Sequence, residues 1–259
     1  MSLYFMIISF VLGSVFGSFY NVCIYRIPEN LSVCNPPSHC YNCNTRLKPI
    51  DLVPILSWLF IGGKCRYCKN SISPRYALIE FLTGVLFTLV YLKFGYRVIT
   101  VYYMVFISLL IIITFIDIDH YIIPDKLILI GVIVSLAANG LGFGIDFFDG
   151  LRGALFTGGS MFIVIWIIEF FIKREVMGGG DIKLYTMVGL FLGSKLSLLT
   201  ILFSIYIGAF YGIFLILYNK IRNKNYNSMI PFGPFISIAS IVSLFYGNQI
   251  IKFYINIFL

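Results

Sequence analysis

Apolar residues run along this chain of 259 residues in long stretches, and polar residues come in short bursts between them. A segment that crosses a bilayer needs about 20 mostly apolar residues. Eight stretches meet or approach that length: roughly 3 to 24, 76 to 92, 98 to 116, 127 to 143, 153 to 172, 184 to 195, 197 to 218 and 230 to 256. The sixth is the shortest. The pattern predicts an all-α polytopic membrane protein with about eight transmembrane helices. The first stretch lacks a basic flank and runs into GSFYNVCIYRIP with no small-residue cleavage site, so it reads as a span and not as a removed leader.

One polar excursion is long. Arg26 to Arg75 separates the first two apolar runs and holds five of the six cysteines. The expected organisation is a first transmembrane helix (1–25), an inserted tetracysteine domain (26–75) and a transmembrane core (76–259). Four of the cysteines form two CxxC knuckles, Cys40/Cys43 and Cys65/Cys68, with 21 residues between them. That is close to the zinc-ribbon spacing, in which thiolates from two turns close a tetrahedron. Two disulfides are the competing arrangement, but they rarely persist in a reducing cytoplasm. A loop this small cannot build a core of its own and needs such a staple. Cys34 and His39 lie nearby as bystanders, and Cys23 reads as a small apolar residue at the end of the first span. Within the loop, LVPILSWLFIGG (Leu52 to Gly63) is too short to cross a membrane. It is expected to pack in the ribbon or to lie in the interface, with Trp58 as anchor.

Composition sharpens the picture: 59% hydrophobic, 18% aromatic and only 12% charged residues exclude an ordinary soluble domain. Basic residues set the orientation. With the N-terminus outside, fourteen Lys and Arg fall on the cytoplasmic side, leaving only Lys93, Arg97, Arg152, Lys195 and Lys252 outside. This places the tetracysteine loop in the cytoplasm. The net charge of +8 then follows from topology and attraction to anionic lipid, without nucleic acid as a partner.

Acids are scarce, eleven in all, and their positions are informative. Asp117, Asp119 and Asp125 sit in FIDIDHYIIPD after the third run, and Asp181 closes the glycines of EVMGGGDIKL (Glu175 to Leu184). Asp181 fits the N-cap of the next helix. Pro124 and Asp125 look like an ordinary helix start. Yet two spans separate Asp117 from Asp181, so both return to the same, cytoplasmic, face. Two carboxylates facing one cavity repel each other unless they share a proton, which leaves one acid and one base. That is the chemistry of aspartyl peptide hydrolysis. Residues two apart on a helix point to different sides, so only one of Asp117 and Asp119 faces Asp181. Glu80, one turn into the second span, is expected to have a cationic partner such as Arg26, Arg75 or Lys183, or a proton. Gly13, Gly17 and Ser18 read as helix-packing positions. PFGP (Pro231 to Pro234) breaks the start of the last run on the cytoplasmic face, and with the other two interruptions there it is placed to help line a cavity.

Taken together, GSFYNVCIYRIP, the CxxC pair, GGKCRYC with ISPRYALIE, IDIDHYIIPD, MGGGD and IPFGPF resemble the type IV prepilin leader peptidases. These are bifunctional GxGD membrane aspartyl proteases of bacteria, and the resemblance runs nearly end to end. It implies that Asp117 and Asp181 are the catalytic pair, that residues 76–259 form the protease core, and that Cys40, Cys43, Cys65 and Cys68 hold a structural zinc. It further implies a multi-pass protein of the bacterial inner or cytoplasmic membrane. Such a protein cuts the leader of a prepilin or pseudopilin on the cytoplasmic side, as a partner of pilus or secretion assembly machinery. The new N-terminus is then methylated from S-adenosylmethionine. No glycine-rich nucleotide fingerprint marks a methyl-donor pocket. A metal-sensing or metal-transporting membrane protein and a non-enzymatic assembly scaffold are the alternative readings.

Overall fold

A computed structural model describes residues 2–173, 177–222 and 230–258. Arg174 and Lys224 of the orientation count, and Glu175 and Val176 ahead of the glycines, lie outside the described residues. The described residues form helices α1 (Ser2–Arg26), α2 (Leu56–Phe60), α3 (Arg75–Phe94), α4 (Val98–His120), α5 (Asp125–Gly140), α6 (Phe147–Ala154), α7 (Ser160–Ile172), α8 (Gly179–Ile221) and α9 (Gly233–Phe258). They group into two compact units, Met1–Ile112 and Ile113–Leu259.

In the first unit α1 lies against α3. Small residues permit the close approach: a Cβ added at Gly13 would stand 2.7 Å from the Thr83 carbonyl oxygen, and one at Gly17 2.7 Å from the Glu80 Cα. Where lipid tails remove any hydrophobic drive between helices, such backbone proximity is what holds them together. Tyr20 of α1 adds a hydrogen bond to the Ser108 hydroxyl of α4 at 2.5 Å.

The second unit is organised around α8, against which α5, α6 and α9 pack. At about 1.5 Å per residue its 43 residues would extend about 65 Å, twice a bilayer core. It is not straight. Gly193 (φ 74°, ψ 178°) breaks it into two arms, at a φ that favours glycine. Asp149 of α6 accepts hydrogen bonds from the Ser194 amide (3.2 Å) and hydroxyl (2.6 Å), thereby capping the second arm. Asn139 donates to the Leu190 carbonyl at the end of the first arm (3.0 Å). The Tyr185 and Ser204 hydroxyls, one from each arm, meet at 2.5 Å. The two arms therefore fold against each other as a hairpin, which accounts for the sixth and seventh apolar runs.

Six described helical segments are long and apolar enough to cross a membrane: Leu3–Arg26, Arg75–Phe94, Val98–His120, Phe147–Ile172, Gly179–Ile221 and Gly233–Ile257. The broken α8 supplies two of the eight runs, and α5, at 16 residues, supplies the remaining one while falling short of a full crossing. The fifth run also starts earlier than its apolar pattern suggests. Asp146 caps α6 by accepting from the Asp149 amide, and a π-helical turn (Leu155–Gly159) joins α6 to α7.

Candidate active site and metal centre

Asp117 lies in the last turn of α4 and is only 5% exposed, whereas Asp119, two residues on, is exposed. Tyr121, in the left-handed conformation (φ 56°), ends the helix with its amide on the Asp117 carbonyl. The side chain of Asp117 accepts a hydrogen bond from the backbone amide of Gly233, the first residue of α9, at 2.8 Å. A Cβ at Gly233 would stand 2.7 Å from the Asp117 Oδ2, so only glycine leaves room for this contact.

Asp181 is 9% exposed and sits in the first turn of α8. It is not the N-cap. Gly178 (ψ 138°) takes that place, and Asp181 is three residues further on, its amide bonded to the Gly178 carbonyl at 3.0 Å. The glycines ahead of Asp181 do not form a loose corner. Gly179 and Gly180 are helical, and Gly180 is there because the backbone runs close to α5's approach: a Cβ would meet that of Ile123 at 3.0 Å. A carboxylate in a first helical turn is favoured by the helix dipole.

The two aspartates line one cavity of about 370 Å³, together with Tyr121, Gly178 and Gly180. Asp125 and Lys183 stand at the same cavity as an exposed ion pair at 2.7 Å. Pairs this exposed contribute about 0–1 kcal/mol. Sequence reasoning missed Gly233 as the group that fixes Asp117. Its signal was PFGP, read there as a helix break placed to help line a cavity and not as a donor to a carboxylate.

In the loop between α1 and α3 the four thiol sulfurs of Cys40, Cys43, Cys65 and Cys68 lie within 4.8 Å of one another. The two knuckles repeat one conformation. In each the first cysteine's carbonyl accepts from a left-handed residue four positions on, Asn44 (φ 53°) and Lys69 (φ 62°). The first cysteine's amide bonds back across the turn, to the Thr45 carbonyl at 3.0 Å and the Asn70 carbonyl at 2.8 Å. The Cys40 and Cys68 sulfurs are 3.8 Å apart and all six cysteines are free. A tetrahedral zinc with sulfurs at about 2.3 Å implies an edge of about 3.8 Å, whereas a disulfide requires about 2.05 Å. The donor set thus fits a metal ion. Hydrogen bonds favour the thiolate at three of the four: the Thr45 hydroxyl and amide hold the Cys43 thiol below its usual range, the Cys68 and Tyr67 amides do so for Cys65, and the Asn70 amide for Cys68. At Cys40 the Cys43 and Asn42 amides are outweighed by burial and the Cys65 and Cys43 thiols, which push it up to about 11. Cys34 is exposed and His39 turns its ring to the Pro37 carbonyl, so neither joins the cluster.

Glu80 differs from expectation. Its carboxylate accepts from the Ile55 amide at 2.6 Å and from the Ser18 hydroxyl, and among the described residues no Lys or Arg pairs with it. Lys183 is engaged with Asp125, and Arg26 donates to the Ser32 and Pro36 carbonyls at 2.9 and 2.8 Å. Ile55, at φ 62°, opens α2, whose Leu56, Leu59 and Phe60 are exposed, while Trp58 donates to the Ile72 carbonyl at 3.1 Å.

A helical membrane protein with two buried carboxylates on one cavity and a tetrathiol loop beside its first span defines a narrow class. Residues 11–94 match the bacterial peptidase A24 N-terminal domain, and residues 104–213 match the type IV leader peptidase family. The chain is 39% identical over 250 residues to a prepilin leader peptidase/N-methyltransferase of Bacillus subtilis, covering 96% of this chain and 97% of that relative. Proteins of the same description from Aeromonas hydrophila (33% identity; 99% of this chain, 96% of the relative) and Pseudomonas aeruginosa (32%; 97% and 94%) are similar over the same extent. No solved structure matches. The chain belongs to the type IV leader peptidase family.

Proposed function

We propose that this chain removes the leader peptide of type IV prepilins or pseudopilins with Asp117 and Asp181 as the catalytic dyad, and then N-methylates the new N-terminus from S-adenosylmethionine. The observation that carries the reading is the convergence of two buried carboxylates, from the end of α4 and the start of α8, on one cavity. One carboxylate takes a proton from water as its oxygen attacks the scissile carbonyl carbon. The other, protonated, donates a hydrogen bond to the carbonyl oxygen. The tetrahedral adduct collapses, the C–N bond breaks, and the departing nitrogen leaves with a proton. The Gly233 amide holds Asp117 in place through both steps. S-adenosylmethionine, when bound, would supply the methyl group for the freed amine.

The four cysteines hold one zinc in this reading, which staples a loop too small to fold by packing alone. The chain is divided into a first helix (1–25), the zinc-binding domain (26–75) and the protease core (76–259), with the dyad and the zinc loop on the cytoplasmic side. The substrates' pilus or secretion assembly machinery and membrane lipid are its partners. The test is cleavage of a synthetic prepilin peptide by purified protein, followed by mass spectrometry. Asp117→Asn and Asp181→Asn each abolish cleavage, and because a dyad acts as a unit the double variant is no worse than either. Full activity in Asp181→Asn refutes aspartyl catalysis. An inactive Asp119→Asn alongside an active Asp117→Asn reassigns the first carboxylate.

A further inference from the structure

The short helix of the thiol loop turns its apolar side outward. In α2, Leu56, Leu59 and Phe60 stand at i, i+3 and i+4 and so share one face. All three are exposed, Phe60 at 85%. Trp58 lies on the opposite face: its indole donates to the Ile72 carbonyl, and a Cβ at Gly63 would stand 2.9 Å from the ring. The indole therefore ties α2 to its own loop, and the membrane contact expected of it falls to the three residues opposite. Leu52 and Val53, just ahead of the helix, extend the exposed apolar surface.

The level of this patch is set by α3. The Ile55 amide, at the head of α2, donates to the Glu80 carboxylate at 2.6 Å. Ile55 adopts φ 62°, rare for a β-branched residue, so the chain is bent sharply where it enters α2. Glu80 lies about 7.5 Å along α3 from Arg75, in a helix long and apolar enough to cross a membrane. Leu78 and Phe81, on either side of Glu80, are exposed and on a spanning helix face lipid. Lipid thus reaches the level at which α2 is tied. Lys48, Lys64 and Lys69 of the same loop are exposed, and positive charge at this level complements anionic headgroups.

We propose that α2 lies in the headgroup–acyl boundary of the bilayer beside the start of α3, with Leu56, Leu59 and Phe60 in lipid and the three lysines over anionic headgroups. Interfacial helices bury their apolar face about 5–10 Å into that boundary. The thiol loop is then joined to the membrane at a third point besides α1 and α3, which holds its two knuckles against the bilayer surface.

The experiment is spin labelling of the full chain in vesicles of phosphatidylethanolamine and phosphatidylglycerol. One nitroxide is placed at Phe60→Cys in a Cys34→Ser background, and another, as the aqueous reference, on the exposed native Cys34. Cys34→Ser without further change gives the background from the remaining thiols. Collision with oxygen, which concentrates in lipid, against collision with a polar nickel chelate, which stays in water, reads the depth. The label at position 60 is expected about 5–10 Å inside the boundary and that at Cys34 outside it. A single size-exclusion peak shows that the variant is folded, and Leu59→Cys repeats the measurement on the same face if Phe60→Cys lacks one. Equal access of the nickel chelate to the two positions overturns the proposal. So does spin–spin broadening at position 60 that disappears on dilution with unlabelled chain, since the patch then covers a second copy. Shielding that arises only when a prepilin peptide is added overturns it as well. Replacing the anionic lipid with phosphatidylcholine should bring the label nearer the surface, and an unchanged depth removes the lysines from the anchor.

Discussion

Replacing Gly233 with alanine tests how tightly Asp117 must be held. The added Cβ would lie 2.7 Å from Asp117 Oδ2, closer than real Cβ atoms come to a neighbour, and 3.2 Å from its Cγ. The neighbour cannot simply swing aside, since Asp117 is 5% exposed and Pro234 stiffens the backbone next to Gly233. Either the carboxylate or the start of α9 shifts, and the 2.8 Å hydrogen bond is lost. A hydrogen bond to a charged group contributes about 1.5–3 kcal/mol, and misplacing a catalytic group by about 1 Å costs about 100-fold in rate. Gly233→Ala is therefore expected to lower kcat for leader cleavage about 100-fold, with KM changed far less. Two glycines of the MGGGD stretch calibrate the measurement. A Cβ at Gly179 meets nothing within 4 Å, and one at Gly180 meets the Ile123 Cβ at 3.0 Å. The order of activity is then Gly179→Ala, close to wild type, followed by Gly180→Ala and last Gly233→Ala. A peptide-cleavage time course on purified variants of matched membrane content reads this directly. Wild-type kinetics in Gly233→Ala, or a Gly179→Ala as impaired as Gly233→Ala, would refute the steric argument.

Metal analysis of the wild type should find about one zinc per chain, and Cys40→Ser with Cys65→Ser should lose it and become sensitive to proteolysis between Arg26 and Arg75. A carefully handled wild type without metal rules out the zinc site. For topology, the exposed thiol of Cys34 should react with a membrane-impermeant maleimide only after permeabilisation, whereas Tyr96→Cys in a Cys34→Ser background, 88% exposed between α3 and α4, should react on intact cells. Reversed labelling inverts the proposed orientation. Lys183→Ala breaks the exposed pair with Asp125 and should shift stability by less than about 1 kcal/mol; a large loss, read from the thermal midpoint in detergent, would show that the pair is buried in the working protein.

Much of this architecture was legible in the sequence because its strongest signals are local. Apolar length announces a span, and four cysteines in two knuckles announce a cluster. A carboxylate beside MGGGD is conspicuous in a chain with so few acids. Helical geometry required only that one of Asp117 and Asp119 face Asp181 and the resemblance picked Asp117; the two do differ in burial. What was not legible depends on backbone donors from distant segments. The Gly233 amide on Asp117 and the Ile55 amide on Glu80 link residues 116 and 25 positions apart, and a peptide N–H carries no residue signature. For that reason Glu80 was given a cationic side chain or a proton to compensate it, and the backbone amide it received was not foreseen. The division of α8 was legible as two adjacent apolar runs but its position was not, since Gly193 falls inside the sixth run and not at the gap that follows it.

The break at Gly193 also bears on the lipid around the site. The first arm of α8, Gly179 to Leu192, is about 21 Å long, and α5, with 16 residues, is about 24 Å. The two pack against each other, and both are shorter than a hydrocarbon core of about 30 Å. Around such short neighbours a bilayer thins at a cost of a fraction of a kcal/mol per ångström. Asp181 begins the short arm, so thinning on that side would bring polar headgroups and water toward the carboxylates. Hydrophobic mismatch thus becomes part of the enzyme's setting. Leader cleavage in vesicles should slow as acyl chains lengthen and the dimple becomes more costly to form, with no residue of the protein changed.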